Sequence, residues 1–207
     1  MKSRGSATIV LVLTLILPAV APRQLPAQLA VEVAAGVRYS TALVQDSIVA
    51  PFAVQAALAP VVAVTVTTPL EHHWAAQMTF DFSTSTVRRR DADGSSIPLG
   101  RVSTAAFIVG LEHRLPAGLS ARIGLGGLKY FPGETTGMFR SGSGSIAGLG
   151  TLAISHALPL GSHFGFAVEA RYDVHGFTTP ALREEGFTSA RPVHRVALTI
   201  RARRGRP

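Results

Sequence analysis

The feature that most limits what this chain can become is a two-residue alternation of side-chain character. In FGFAVEARYDV, residues 164–174, one parity carries Phe164, Phe166, Val168, Ala170, Tyr172 and Val174, and the other carries Gly165, Ala167, Glu169, Arg171 and Asp173. Successive side chains leave a strand on opposite faces, so this period predicts a strand with one apolar and one charged face. Seven further segments read as strands. Residues 29–40 set Val31, Val33, Ala35, Val37 and Tyr39 against Glu32 and Arg38. Residues 60–69 follow, with an alternative start near Phe52. Residues 74–87 set Ala76, Met78, Phe80 and Phe82 against Gln77, Thr79, Asp81 and Ser83. In 101–114 the apolar parity holds Ala105, Phe107, Val109 and Leu111. In 118–131, Leu119, Ala121, Ile123 and Leu125 oppose Ser120, Arg122, Gly124 and Gly126. A bulge is expected at Gly126-Gly127, switching parity toward Tyr130. Residues 144–158 alternate poorly and are rich in Gly and Ala. Residues 191–203 set Val196, Leu198 and Ile200 against Arg195, Ala197, Thr199 and Arg201.

One stretch, residues 49–68, is apolar enough to raise a helix. Pro51 and Pro60 would break it, and its run of Val and Thr favours strand.

Which face meets water is a question of composition. The chain is 47% hydrophobic with a mean hydropathy of +0.30, and only 15% of its residues are charged. Soluble domains carry about 25%. So little charge implies that much of the outer surface does not meet water. Cysteine is absent, which excludes disulfides, thiol catalysis, zinc-thiolate sites and a lipoprotein anchor.

The N-terminus reads as a secretory signal: Lys2 and Arg4, an apolar run from Ala7 to Leu17, then Pro18. The run is too short to span a bilayer. Cleavage is expected after Ala27, giving a signal peptide over 1–27 and one domain over 28–207. Its removal takes Lys2, Arg4 and Arg23, so the formal charge falls from +8 to +5. The mature chain has no basic helix and no aromatic-basic signature, so nucleic acid is not an expected partner.

The connections alternate in length. PLEHH, LPAG and PLGS are short; residues 41–51, 88–100, 132–144 and 176–190 are long. In an up-and-down meander all short turns fall at one end and all long loops at the other. A sheet with an apolar outer face must also close, because an open edge leaves backbone groups unpaired in hydrocarbon. Even strand number, short turns, long loops and apolar alternation are the pattern of outer-membrane barrels.

On this architecture the chain resembles the small OmpA/OmpX-type barrels over essentially its whole mature length. The resemblance rests on no residue motif. It implies an all-β, eight-stranded antiparallel up-and-down transmembrane barrel in the outer membrane of a diderm bacterium. It further implies insertion by the outer-membrane assembly machinery, contact with outer-membrane lipid, a monomeric state, no cofactor, and a structural or surface-interaction role through the long loops. Members usually end the last strand on an aromatic residue; this chain ends LTIRARRGRP.

A barrel of eight strands is only just wide enough for side chains to fill. Glu32, Arg38, Asp81, Arg122, Glu169, Arg171 and Asp173 are therefore expected to face inward as a charge network, with no open pore. Arg88, Arg89 and Arg90 begin the second long loop and could pair with lipopolysaccharide phosphates, since guanidinium matches phosphate bidentately. A solvated loop with Asp91 and Asp93 as local partners explains them equally well.

Of seven histidines, His72, His73, His113, His156 and His163 map to the short-turn end, and His175 and His194 lie nearer the other. Their spacing matches no metal-ligand motif, so no metal is expected. Some eight-stranded barrels modify lipid A with His, Ser and an acid. Here Ser155 and His156 are adjacent and so point to opposite faces, and no catalytic residue is expected. Two alternatives remain. A soluble lipocalin-like barrel would line an apolar cavity with Phe80, Phe82, Phe164 and Phe166, leaving Glu169 and Arg171 in water. A rim-located lipid A-modifying enzyme is the other.

Overall fold

The computed structural model describes residues 29–46, 51–134, 137–142, 144, 146–158, 164–187 and 189–204. The expected signal peptide lies outside these residues, as do the turn at 159–163 and His163.

The strands are β1 (Ala30–Ser40), β2 (Val44–Asp46), β3 (Phe52–Ala56), β4 (Ala59–Pro69), β5 (Trp74–Asp91), β6 (Ser96–Arg114), β7 (Leu119–Pro132), β8 (Ala147–Leu158), β9 (Phe164–Phe177) and β10 (Arg191–Arg204). One short helix, α1 (Pro180–Glu184), sits between β9 and β10. Eight strands form a closed antiparallel ring in the order β1-β4-β5-β6-β7-β8-β9-β10. The ring closes where β10 pairs with β1, from Glu32↔Arg203 to Ser40↔Arg195. Closure leaves none of these eight strands with an open edge along the wall. β2 and β3 form a hairpin on the far end of β5, with Phe52 opposite Asp91 and Ala56 opposite Val87.

The short-turn end carries residues 70–73 and 115–118. His72, His73 and Ala117 adopt positive φ there, at 57°, 68° and 59°. The eight strand positions agree with the alternation to within a few residues. The segment 49–68 contributes strands from Phe52 onward, not a helix.

Two expectations are corrected. Residues 88–100 are not an open loop. β5 and β6 run on past the rest of the ring as a paired hairpin, turning only at residues 92–95. The tip is closed by Asp91 N–H to Ser95 O and Gly94 N–H to Asp91 O. Between the pairs Thr86↔Arg101 and Arg88↔Pro98, β6 carries one residue more than β5, and Gly100 there has a φ of 103°. This is the ring's register shift. No shift occurs at Gly126-Gly127: β6 and β7 pair without interruption from Val102↔Pro132 to Arg114↔Ser120, and Tyr130 stays on the inward parity of Arg122.

The apolar parity faces outward. Phe80, Phe107 and Leu198 are about half exposed, at 53%, 50% and 55%, whereas Asp81 on the opposite parity is fully buried. On β5 the outward apolar positions run from Trp74 to Phe82. At about 3.3 Å per residue and a tilt of about 40°, nine residues make a band roughly 20 Å tall, near the about 25 Å of a membrane barrel.

Inside, the lumen has two zones. Toward the long-loop end it holds an apolar core: Val87, Val102, Ala106, Ile108, Leu128, Tyr130, Leu149, Phe177 and Val193 from the strands, capped by Leu43, Phe139 and Leu182 from the loops. Toward the short-turn end it is polar.

Candidate functional site

The polar zone is made of two ion clusters. The first joins β1, β5, β9 and β10. Arg38 donates to both oxygens of Asp81, at 3.2 and 2.9 Å. Arg171 also pairs with Asp81, and its Nε lies 3.2 Å from Asp173. Arg195 donates to Asp173 at 3.0 Å. The second cluster is nearer the short-turn end. Arg122 binds Glu112 at 2.9 Å and Glu169 at 3.0 Å, and lies 3.8 Å from Glu32. Arg201 pairs with Glu32 and reaches Glu169 at 3.3 Å. Three arginines and two acids make the first cluster; two arginines and three acids make the second. Each offsets the other's excess charge.

All seven inward residues named from the sequence lie in these clusters. Arg38, Asp81, Arg171 and Asp173 fall in the first, and Glu32, Arg122 and Glu169 in the second. The sequence reading missed Glu112, Arg195 and Arg201. Arg195 and Arg201 stand on the inward parity of β10, and Glu112 follows Leu111 on β6, so parity alone could have found them.

Below the second cluster, Ser120 and Ser155 share a hydrogen bond of 2.7 Å. They line a cavity of about 180 Å³ that includes Arg201 and Arg203. His156 faces outward on β8, away from Ser155, so the two form no catalytic pair. Between the polar and apolar zones, the Tyr130 hydroxyl meets His175 Nε2 at 2.6 Å. His194 faces outward against the Tyr172 hydroxyl at 2.5 Å, and His113 packs against Trp74 with the rings tilted by 34°. The described histidines are thus dispersed.

The three consecutive arginines separate. Arg89 binds Asp91 at 2.7 Å and lies over the Phe52 ring at 4.7 Å. Arg88 and Arg90 take the opposite, outward parity and are exposed. Arg101, paired across from Thr86 on β6, faces the same way. Among the described residues none of Arg88, Arg90 and Arg101 has an ion-pair partner. Arg140, on the loop after β7, binds Glu184 and Glu185.

The lipocalin-like arrangement is overturned by this geometry. Phe80 and Phe82 face out, and Glu169 and Arg171 are buried within the barrel.

No protein-family profile matches this chain, and no curated protein does. The solved structure of Neisserial surface protein A is similar to it, with a TM-score of 0.51 over 86% of this chain and 97% of that one, at 10% sequence identity. At that identity the likeness concerns the fold. This chain is a closed eight-stranded antiparallel barrel, the fold for which that structure is similar to it.

Proposed function

We propose that the protein is an integral outer-membrane barrel of a diderm bacterium, inserted as a monomer by the assembly machinery after signal removal. Its role on this reading is structural or surface-interactive, exerted through the long-loop end, with the lumen closed and no catalytic step. One observation carries the proposal: a continuous outward apolar band surrounds an interior of paired charges. Water would penalise that band, and hydrocarbon would not. The ten ionised side chains of the clusters need the enclosure, because an unpaired charge there is costly. Closure is supported by the stacking of an apolar core above two ion clusters, which leaves the lumen filled by side chains over most of its height.

The chain lacks cysteine, so single cysteines report cleanly. Phe80→Cys and Thr199→Cys, each labelled with a fluorophore in refolded protein, would be compared in vesicles containing a lipid-dissolved spin quencher. Quenching at position 80 and protection at 199 are expected. Free water access at position 80, without vesicle association, would overturn the reading.

A further inference from the structure

We infer that the outward face of the β5–β6 hairpin is a docking strip for the phosphates of an outer-leaflet phosphorylated glycolipid, held by Arg88, Arg90 and Arg101. This rests on the membrane reading above. Along the outward face of β5 the order is Phe80, Phe82, Thr84, Thr86, Arg88, Arg90; along β6 it is Phe107, Ala105, Ser103, Arg101. Apolar, hydroxyl and cationic side chains follow one another away from the band. Lys129, opposite Ala105 on β7, stands at the band's edge on the same face.

Two other arginines of this end are engaged, Arg89 by Asp91 and Phe52 and Arg140 by Glu184 and Glu185, whereas Arg183 on α1 is an isolated cation among the described residues. The three that face outward form no ion pair among the described residues. Glu134 is the acid beside the strip, its carboxyl carbon 3.4 Å from where a Cβ on Gly100 would stand. Three guanidiniums on one face of a paired hairpin repel one another unless anions lie between them, and guanidinium binds phosphate through two parallel hydrogen bonds.

The height of these cations above the apolar band selects the lipid. Arg90 lies eight residues beyond Phe82. At about 3.3 Å per residue and a tilt of about 40° that is roughly 20 Å above the apolar band. A phospholipid headgroup layer is only about 5–8 Å deep. Cations spread over that height fit phosphates carried at more than one level by a sugar-bearing lipid.

The test uses the full mature chain refolded into phosphatidylcholine vesicles doped with diphosphoryl lipid A, its dephosphorylated form, or phosphatidylglycerol. Lipid retained by the protein after detergent extraction is counted by mass spectrometry. Selective retention of diphosphoryl lipid A is expected, weakening as salt rises. Arg88→Gln/Arg90→Gln/Arg101→Gln should lose it by about tenfold or more, and Arg140→Gln should keep it. Equal retention by the triple variant, or equal retention of the dephosphorylated lipid, overturns the strip. Displacement of diphosphoryl lipid A by phosphatidylglycerol or by free inorganic phosphate at millimolar level overturns the choice of a glycolipid. A chain that does not insert into plain phosphatidylcholine vesicles overturns the membrane reading, and the strip with it.

Discussion

Asp81 on β5 accepts hydrogen bonds from both terminal nitrogens of Arg38 on β1, at 3.2 and 2.9 Å, reaching across the intervening strand β4. It also pairs with Arg171 and is fully buried. Asp81→Asn would leave two guanidiniums short of a counter-charge. The expected cost is about 3–5 kcal/mol, the usual penalty for breaking a buried pair from one side. Urea unfolding of the refolded protein in micelles measures it. A loss below about 1 kcal/mol would mean that the cluster fills space without holding the strands together.

Backbones approach closely at three inward glycines, Gly36, Gly110 and Gly126. A Cβ on Gly36 would run into the backbone of Leu198 and Thr199, and one on Gly126 into that of Phe107 and Ile108. Gly148 has open space around it. Gly36→Ala and Gly126→Ala should each destabilise by about 1–3 kcal/mol through overpacking, and Gly148→Ala should not. The fraction of barrel that resists unfolding in cold detergent gels ranks the three.

Phe139 caps the apolar core and packs edge-on against Phe177. Phe139→Ala should weaken this end by about 3 kcal/mol, seen as faster proteolysis of the segment between β7 and β8. Planar bilayers should stay electrically silent for both the parent and this variant, because the ion clusters lie beneath the cap. Discrete channel openings in the parent would contradict a closed lumen.

Asp93 is exposed at the hairpin tip, where its carboxylate accepts the Ser95 backbone N–H at 2.8 Å. That hydrogen bond holds its pKa below the ordinary carboxylate value. The tip therefore gains order above the ordinary value and loses it as pH falls through the depressed one. Chemical-shift titration of the Ser95 amide should follow this midpoint. Asp93→Asn, which keeps an acceptor, should remove the dependence on pH.

Strand positions and facing were legible because outward-facing and lumen-side residues differ in kind along the short-turn half of the barrel. Val37 against Arg38, or Phe80 against Asp81, declares its face by polarity alone. The alternation fails where both faces are apolar. Ala106 and Ile108 are as hydrophobic as Phe107 and Val109, so the lumenal core toward the loops left no trace in the periodicity. The same blindness explains the bulge expected at Gly126-Gly127: bulky Leu128 and Tyr130 share a parity with two glycines, and an apolar lumen, not a change of face, accommodates them. The hairpin of β5 and β6 was missed because RRRDADG reads as solvated loop, and the further strand β3 that pairs along β5 there lies more than thirty residues earlier.

The pairing of β10 with β1 joins the last strand made to the first. A slip of two residues at this seam would preserve every backbone hydrogen bond but one or two, and would keep each side chain on its proper face. Backbone and hydrophobicity cannot detect such an error. Arg201 and Glu32 can, because their ion pair crosses the seam directly and each is tied to further partners on β6, β7 or β9. Misaligned, the two could not keep that pair and all of those further partners at once. The lumenal charges thereby distinguish the one register at which the ring closes from its near neighbours.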